Sequence, residues 1–567
     1  MAKYFFFFIL TVWGQSLFGQ GKQDFITFVQ STHVWVDSVF RQLSPAERIA
    51  QLFLVRVHTN LGQAHIDSVA RVLADEKLGG IVLFQGGPRR HAAVINRYQA
   101  LSKVPLLVAL DGEWGLGMRL DSTISYPYQM TLGAIQDESL LYQMGRQIGR
   151  DFKRLGLTVN FAPVVDINNN ARNPVINFRS FGENKENVAR KGAAYMRGLM
   201  DEGLLVTLKH FPGHGDTDVD SHRDLPRLNF TAGRLDSLEL YPFKALIAQG
   251  ASGVMVAHMQ IPALDNTPRL PSSLSPNVVN GLLKKKLGFK GLVFTDAMDM
   301  NGVVKYFKNG EADIRAVLAG NDVLELSQNT KRAIRNIQEA IRNKRISQQE
   351  IDGRVKKILA AKLWLGLDKR KPIDLYRLHA DLNQQSAQWL NQRLADAAIT
   401  SLKNDSLIRE LDYTKKTAII SVGASTITPI QNILQERFDN ATNFVLSADA
   451  MPNDVAKVSV ELLRYDQIIV ALHDNRKSPQ SKINYSGTIR LFINELANMN
   501  SIFAVFANPY TLAGLPGVEQ AKTILMAYQN AETTQRAVAE VLLQQLQPKG
   551  RLPVTINAFF KFGDGAQ

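Results

Sequence analysis

Residues 209–226 read KHFPGHGDTDVDSHRDLP, and three histidines and four aspartates in eighteen positions could hold a metal, cradle calcium or move protons. An EF-hand loop begun at Asp216 puts Asp218 and Asp220 at its third and fifth positions, but Ser221 and Arg227 fall where calcium needs Gly and Glu. His210 and His214 have the spacing of a zinc-binding helix, yet Pro212 and Gly213 lie between them and forbid that helix. Proton chemistry survives. In extended or turn backbone, residues two apart face the same way, so Asp220 can bond the ring of His222, fix its tautomer and strengthen its hold on a proton. That pair is a candidate general acid/base. Asp296, in FTDAMDM (294–300), offers a carboxylate flanked by apolar residues, a candidate nucleophile. An acid on one side and a nucleophilic carboxylate on the other is the arrangement of retaining glycoside hydrolysis.

These groups need a scaffold that brings distant segments to one place. Eight short apolar runs recur: QLFLVRV (51–57), GGIVLF (79–84), LLVALD (106–111), TVNFAPVVD (158–166), LLVTLKH (204–210), GVMVAH (253–258), GLVFTD (291–296) and DVLEL (322–326). Between them lie helical periodicities such as 138–156 and 185–203, each closing on a glycine. Near-continuous apolar strands alternating with helices predict a parallel sheet covered by helices, and eight such units close a (β/α)8 TIM barrel. An open doubly wound sheet is the alternative. Asp111, Asp166, Lys209, His210, His258 and Asp296 stand at or just past the C-terminal ends of their runs, which in a barrel meet at one mouth.

From about 345 to 412 the chain turns charged and Gln-rich, which predicts two or three linking helices. A second alternation follows: TAIISVG (417–423), NFVLSA (443–448), QIIVALHD (467–474), IFAVFANP (502–509) and TILMAY (523–528), before GRLPVTI (550–556). No Gly-rich phosphate loop follows any of these runs, which argues against a nucleotide site there. The expected division is a signal peptide over 1–20, a catalytic barrel over 21–368, a helical linker over 369–415 and an α/β sandwich domain over 416–567.

Composition bounds the function. With 45% hydrophobic and 21% charged residues, the 567-residue chain has the balance of a globular protein with a full core. The start, MAKYFFFFILTVWGQSLFGQ, sets Lys3 before an apolar run from Tyr4 to Trp13 that is too short to span a bilayer, and reads as a signal peptide cleaved near Gly19 or Gln20. An exported chain, periplasmic or secreted, is expected, with no cysteine near that site for a lipid and no later membrane segment. Zero cysteines rule out disulfides, thiolate zinc and a thiol nucleophile. The net charge of +14 is spread in short clusters without interleaved aromatics, so no nucleic-acid partner is expected, while anionic polymers at a cell surface would suit it.

The run KHFPGHGDTDVDSH, with RSFG (179–182) before it and FTDAM (294–298) after it, resembles the glycoside hydrolase family 3 β-N-acetylglucosaminidases. The resemblance implies a TIM barrel often followed by an α/β sandwich, with no metal or cofactor. It implies Asp296 as the nucleophile that forms a glycosyl-enzyme, His222 as the acid/base on a mobile loop and Asp220 as its dyad partner. Lys209 and His210 match the pair that binds sugar hydroxyls. Asp111 matches a carboxylate gripping hydroxyls far from the scissile bond, and Arg119 and Arg179 match arginines of the same pocket. The family's D-x-E-G-G-R is here DGEWGLGMR (111–119), with Trp114 for a glycine and Leu116 for an arginine, so a differently shaped pocket wall is expected there. His214 reads as structural, and Arg179 has a scaffold alternative in a pair with Glu183. Asp166 and His258 sit at the right height without an assigned role. The implied activity is a retaining exo-β-N-acetylglucosaminidase acting on peptidoglycan fragments, including muropeptides, or chitin-type oligosaccharides. A phosphorylase on the same fold and a non-catalytic sugar-binding cell-wall protein remain as alternatives.

Overall fold

The computed structural model describes residues 24–221, 223–403, 406–474, 476 and 484–565; the stretch read as a signal peptide and His222 lie outside them. All eight apolar runs form strands: β1 (Phe53–Val57), β2 (Gly80–Leu83), β3 (Leu107–Leu110), β4 (Val159–Asn160), β5 (Leu205–Phe211), β6 (Gly253–Val256), β7 (Leu292–Thr295) and β8 (Leu324–Glu325). They pair in parallel in the order β7-β6-β5-β4-β3-β2-β1-β8. The ring closes between its two ends, where Phe294 bridges Val323 and the Thr295 amide donates to the Val323 carbonyl at 3.0 Å. The sheet is therefore a closed (β/α)8 barrel and not an open doubly wound sheet.

Helices Glu138–Arg154 and Lys185–Asp201 follow β3 and β4. Each starts on a side-chain cap, Asp137 accepting from the Ser139 amide and Asn184 from the Asn187 amide. They end where Gly156 (φ 77°) and Gly203 (φ 81°) turn left-handed, a conformation that only glycine adopts without strain. TVNFAPVVD yields just two strand residues, because Pro163 has no N–H to donate; the chain resumes pairing when the Val165 amide donates to the Lys209 carbonyl at 2.8 Å.

The stretch 369–415 holds helices Leu378–Leu382, Gln385–Ala398 and Ser406–Arg409. It also carries β9 (Thr400–Ser401), which the sequence reading placed within a purely helical linker. Two residues are too few for a periodic signal. β9 pairs antiparallel with the edge of a second sheet made of β10 (Lys416–Val422), β11 (Asn440–Leu446), β12 (Gln467–His473), β13 (Ser501–Phe506) and β14 (Thr523–Met526), ordered β11-β10-β12-β13-β14-β9. Alternate residues of these strands face two cores. Ile419, Ile469 and Phe506 pack with the helices Pro429–Gln435 and Glu532–Leu542, and Ile420, Val470 and Phe503 with Pro452–Leu462 and Gly487–Ala497. This is an α/β sandwich.

The two domains meet on the segment that follows β4. The Glu183 carboxylate accepts from the Thr555 amide (2.8 Å) and hydroxyl (2.7 Å). A Cβ on Gly182 (φ 128°) would lie 2.2 Å from the Pro553 carbonyl oxygen, so this approach requires glycine. Among the described residues no helix is long and apolar enough to cross a membrane.

Candidate active site

The C-terminal ends of the barrel strands surround a cavity of about 320 Å³ lined by residues of six of the predicted positions: Asp111, Arg119, Arg179, Lys209, His210 and Asp296. Asp111 follows β3, and Asp296 follows β7 with its Oδ1 accepting from the Ala297 amide at 2.8 Å. Lys209 and His210 are neighbours in β5, where a regular strand would send one of them outward. The β5–β6 register shifts between Leu208 and Phe211, and this irregularity lets both reach the cavity.

The charges are paired in a chain across the floor. Arg119 donates to Asp111 Oδ2 at 2.5 Å, and Lys209 Nζ lies 2.8 Å from both Asp111 Oδ1 and Glu113 Oε1. Arg179 closes the chain with a bidentate grip on Glu113, at 2.9 Å from Nε and 2.6 Å from a terminal nitrogen. Burial alone would raise the two carboxyls. Lys209 and Arg119 overcome it and hold Asp111 far below the usual carboxylate range, while Arg179 and Lys209 hold Glu113 at about 2. Burial likewise disfavours the Lys209 cation, but Asp111 and Glu113 keep it charged and above its ordinary value. The result is a fixed, ionised set of donors and acceptors in a site 2% exposed at Lys209 and 0% at Glu113. Such preorganised groups suit recognition of sugar hydroxyls.

A second network orients His210. Its Nδ1 lies 2.7 Å from Asp166 Oδ2, and Asp166 also accepts the His210 and His214 backbone amides at 3.1 and 2.7 Å. Asp166 is buried, which would raise its carboxyl, but His210 outweighs burial and keeps it low. His214 is structural, as its position suggested: its ring contacts the hydroxyls of Thr217 (2.9 Å) and Ser221 (3.2 Å) and its carbonyl accepts from Asn173. Burial pushes its imidazole down to about 4, so it is neutral at physiological pH.

The loop after β5 comes back to the cavity at Ser221. It is tied to the segment after β7 through Asp224, which accepts from Lys305 Nζ and the Tyr306 hydroxyl at 2.8 Å each. Asp220 stands one residue before Ser221, half-buried, its carbonyl accepting the amides of Arg223 (2.8 Å) and Asp224 (3.1 Å). The Asp220–His222 pairing expected from spacing involves a residue outside the described set.

The structure removes one alternative and adds residues. Arg179 lines the cavity and pairs with Glu113, whereas Glu183, its alternative scaffold partner, is taken by Thr555. Of the stretch DGEWGLGMR, Asp111, Glu113, Met118 and Arg119 line the cavity, while Leu116 is buried in the core. Trp114 packs edge-on against Tyr128 (4.9 Å between ring centroids) and tilted against Phe178 (6.2 Å). Glu113, Asp166 and Glu325 were not singled out as site residues. Glu113 follows Asp111 by two positions, the spacing that shares a face, and was legible in principle. Glu325, within DVLEL, was legible as a charge inside an apolar run. Arg56 of β1 pairs with Asp299 after β7 at 3.1 Å, a contact over the intervening β8 that no local spacing reveals.

Fold and site together define an enzyme of the barrel class, whose polar groups converge from the ends of different strands on one mouth. Residues 45–361 match the model for the glycosyl hydrolase family 3 N terminal domain, and the chain belongs to that family. It is 28% identical over 551 residues to beta-hexosaminidase A of Pseudoalteromonas piscicida, covering 86% of this chain and 91% of the relative. It is 26% identical to a beta-N-acetylglucosaminidase/beta-glucosidase of Cellulomonas fimi, covering 91% and 93%. Among solved structures, a glycoside hydrolase family 3 beta-N-acetylglucosaminidase from Paenibacillus sp. str. FPU-7 superposes with a TM-score of 0.76 at 31% identity, over 91% of this chain and 99% of that one.

Proposed function

We propose that the protein is an exported, retaining exo-β-N-acetylglucosaminidase that removes terminal β-linked GlcNAc from peptidoglycan fragments, including muropeptides, or from chitin-type oligosaccharides. The observation that carries this reading is Asp296 at the end of β7, facing a cavity whose other walls are the ionised chain Arg119–Asp111–Lys209–Glu113–Arg179. The hexosaminidase and glucosaminidase names of the relatives support the choice of sugar.

In this mechanism the non-reducing sugar sits with its hydroxyls against Asp111, Arg119, Arg179, Lys209 and His210. Asp296 attacks the anomeric carbon while His222, held by Asp220, protonates the departing glycosidic oxygen. A glycosyl ester on Asp296 results. His222 then takes a proton from water, whose oxygen attacks the same carbon and expels Asp296, giving the sugar with its configuration retained. A histidine carries no negative charge once deprotonated, which favours a second reading: inorganic phosphate approaches the glycosyl-enzyme without repulsion and yields a sugar 1-phosphate.

The test is hydrolysis of aryl β-GlcNAc against aryl β-glucoside, with and without inorganic phosphate. Free GlcNAc at equal rate in both conditions is expected; release as the 1-phosphate would establish the phosphorylase, and binding without turnover a sugar-binding protein. His222→Ala should lose about 10²–10⁴-fold on substrates with basic leaving groups and much less on activated aryl glycosides.

A further inference from the structure

Beside the chain of paired charges and Asp296, the site holds a further buried carboxyl. Glu325 ends β8, lines the cavity with Asp111, Lys209 and Asp296, and is 4% exposed. Its backbone is locked to the turn that carries Asp296: its amide donates to the Thr295 hydroxyl at 3.0 Å and its carbonyl accepts the Met298 amide at 2.8 Å. Its Oε2 is buried and has no hydrogen-bond partner among the described residues. A buried polar atom without a partner is costly, and one that lines a cavity is placed to meet a ligand or an ordered water there.

The surroundings set the form of that carboxyl. Burial acts first, then the carboxylates of Asp111 after β3 and Asp296 after β7, with Asp299 beyond, all disfavouring ionisation, while Lys209 on β5 opposes them. Lys209 is already held at 2.8 Å by both Asp111 and Glu113. The group is therefore held well above the usual carboxyl range. An ionised carboxylate can only accept hydrogen bonds, whereas a protonated one can donate.

The geometry points to Glu325 as a substrate-binding residue that enters the site as an uncharged carboxylic acid and donates its O–H to an oxygen of the sugar bound beside Asp296. It adds a donor on the face of the pocket opposite the lysine and arginines without adding a third negative charge next to the nucleophile. The inference rests on the reading that the cavity takes a sugar ring.

Two variants and one spectrum test it. Glu325→Gln keeps a neutral donor and should retain kcat/KM within about threefold. Glu325→Leu removes the donor and should lose about 10–100-fold, mostly through KM, because a site built to hydrogen-bond a substrate loses most when that bond goes. The same Glu325→Leu protein should unfold at an equal or higher temperature than wild type, since an apolar side chain replaces an unsatisfied polar one; a purely structural Glu325 would lower it. The infrared carbonyl band of a protonated carboxylic acid should be present at pH 7 in wild type and missing from Glu325→Gln, and this comparison stands even if the leucine variant does not fold. Wild-type kinetics in Glu325→Leu, equal losses in both variants, or no such band would overturn the assignment. The ratios are taken on whichever aryl glycoside wild type hydrolyses. If it hydrolyses none, the glucosaminidase reading falls by itself, and calorimetric binding of GlcNAc and glucose to the same variants decides the role of Glu325.

Discussion

The barrel and the second domain are built from the same repeat of apolar strand and helix, yet they use the polar residues at their strand ends differently. At or just past the ends of β3, β5 and β7 the barrel places Asp111, Lys209, His210 and Asp296 around a shared cavity. Past β12 the second sheet places Asp474, which is taken up by Arg476 two residues on (2.8 Å) and by the Thr511 hydroxyl (3.3 Å). Past β13, Asn508 caps a turn and reaches Asn177 of the barrel at 2.6 Å, and past β14, Gln529 accepts from the Tyr128 amide and Thr131 hydroxyl at 2.8 Å each. A parallel sheet delivers polar side chains to one edge in either case. What distinguishes the barrel is that closure turns an edge into a ring, so that charges from strands far apart in sequence face one another.

The sharpest way to break the contrast is to make one substitution in each domain. Asp296→Ala should lower kcat by about 10⁴-fold or more, as loss of a nucleophile does. Asp474→Ala, at the matching place on the other sheet, should change kcat by no more than about twofold, since its partners Arg476 and Thr511 both belong to the second domain. Steady-state kinetics on an aryl β-GlcNAc decide this, and an active Asp296→Ala would remove the nucleophile assignment.

Next in size is the ion chain itself. Glu113→Gln takes the bidentate partner from Arg179 and one of two anions from Lys209, leaving buried cations short of countercharge. Unfolding in denaturant should show a loss of about 3–5 kcal/mol. Activity should fall by about 10²-fold as the hydroxyl-binding groups lose their positions. A stable and active Glu113→Gln would mean that Arg179 is placed by packing and Lys209 by Asp111, without the Glu113 charge.

How far this was legible in the sequence follows from the same physics. All eight barrel strands and four of the strands of the second sheet stood out because a strand buried on both faces is apolar throughout, and such runs carry their own boundaries; β11, a half-exposed edge strand, showed only through its short run NFVL. Asp111, Lys209, His210 and Asp296 could be placed because each ends such a run. Glu113 as the partner of Arg179, and Asp166 as the partner of His210, could not. Those pairs join loops after β3, β4 and β5, and no spacing along the chain encodes a contact made by ring closure. Thr400–Ser401 was lost to its brevity, and the seam at Gly182 and Pro553 because two backbones that touch leave little trace beyond a glycine.

A buried carboxyl on the outer layer gives a third, pH-dependent test. Asp151 faces inward from helix Glu138–Arg154 with Gln147 as its hydrogen-bond partner at 3.0 Å, and burial pushes it up to about 7. Its folded value lies above its unfolded one, so the unfolded chain releases this proton first. The associated stability is present below about pH 4 and is lost as pH rises through 7. Asp151→Asn should therefore be more stable than wild type by about 4 kcal/mol at pH 8, the two converging near pH 4. Asp396 of helix Gln385–Ala398, raised by burial to about 6, should show the same sign at smaller size. Denaturant titrations at several pH values would read both.

The smallest effect should come from the seam, and it bears on what the second domain contributes. Gln529 offers one oxygen to two barrel donors, the Tyr128 amide and the Thr131 hydroxyl. Tyr128 packs in turn against Trp114 and Phe178, the residues beside Glu113 and Arg179. Gln529→Ala leaves the two donors without this acceptor, at a cost of about 1–3 kcal/mol in stability. Their displacement has to pass through an aromatic cluster before it reaches the ion chain, and packed rings absorb small shifts by sliding. A fall in kcat/KM of no more than about threefold is therefore expected, with kcat unchanged. A fall beyond about tenfold, with stability unaltered, would mean that the cluster transmits rather than absorbs, and that the second domain helps hold Arg179 and Glu113 in their working geometry.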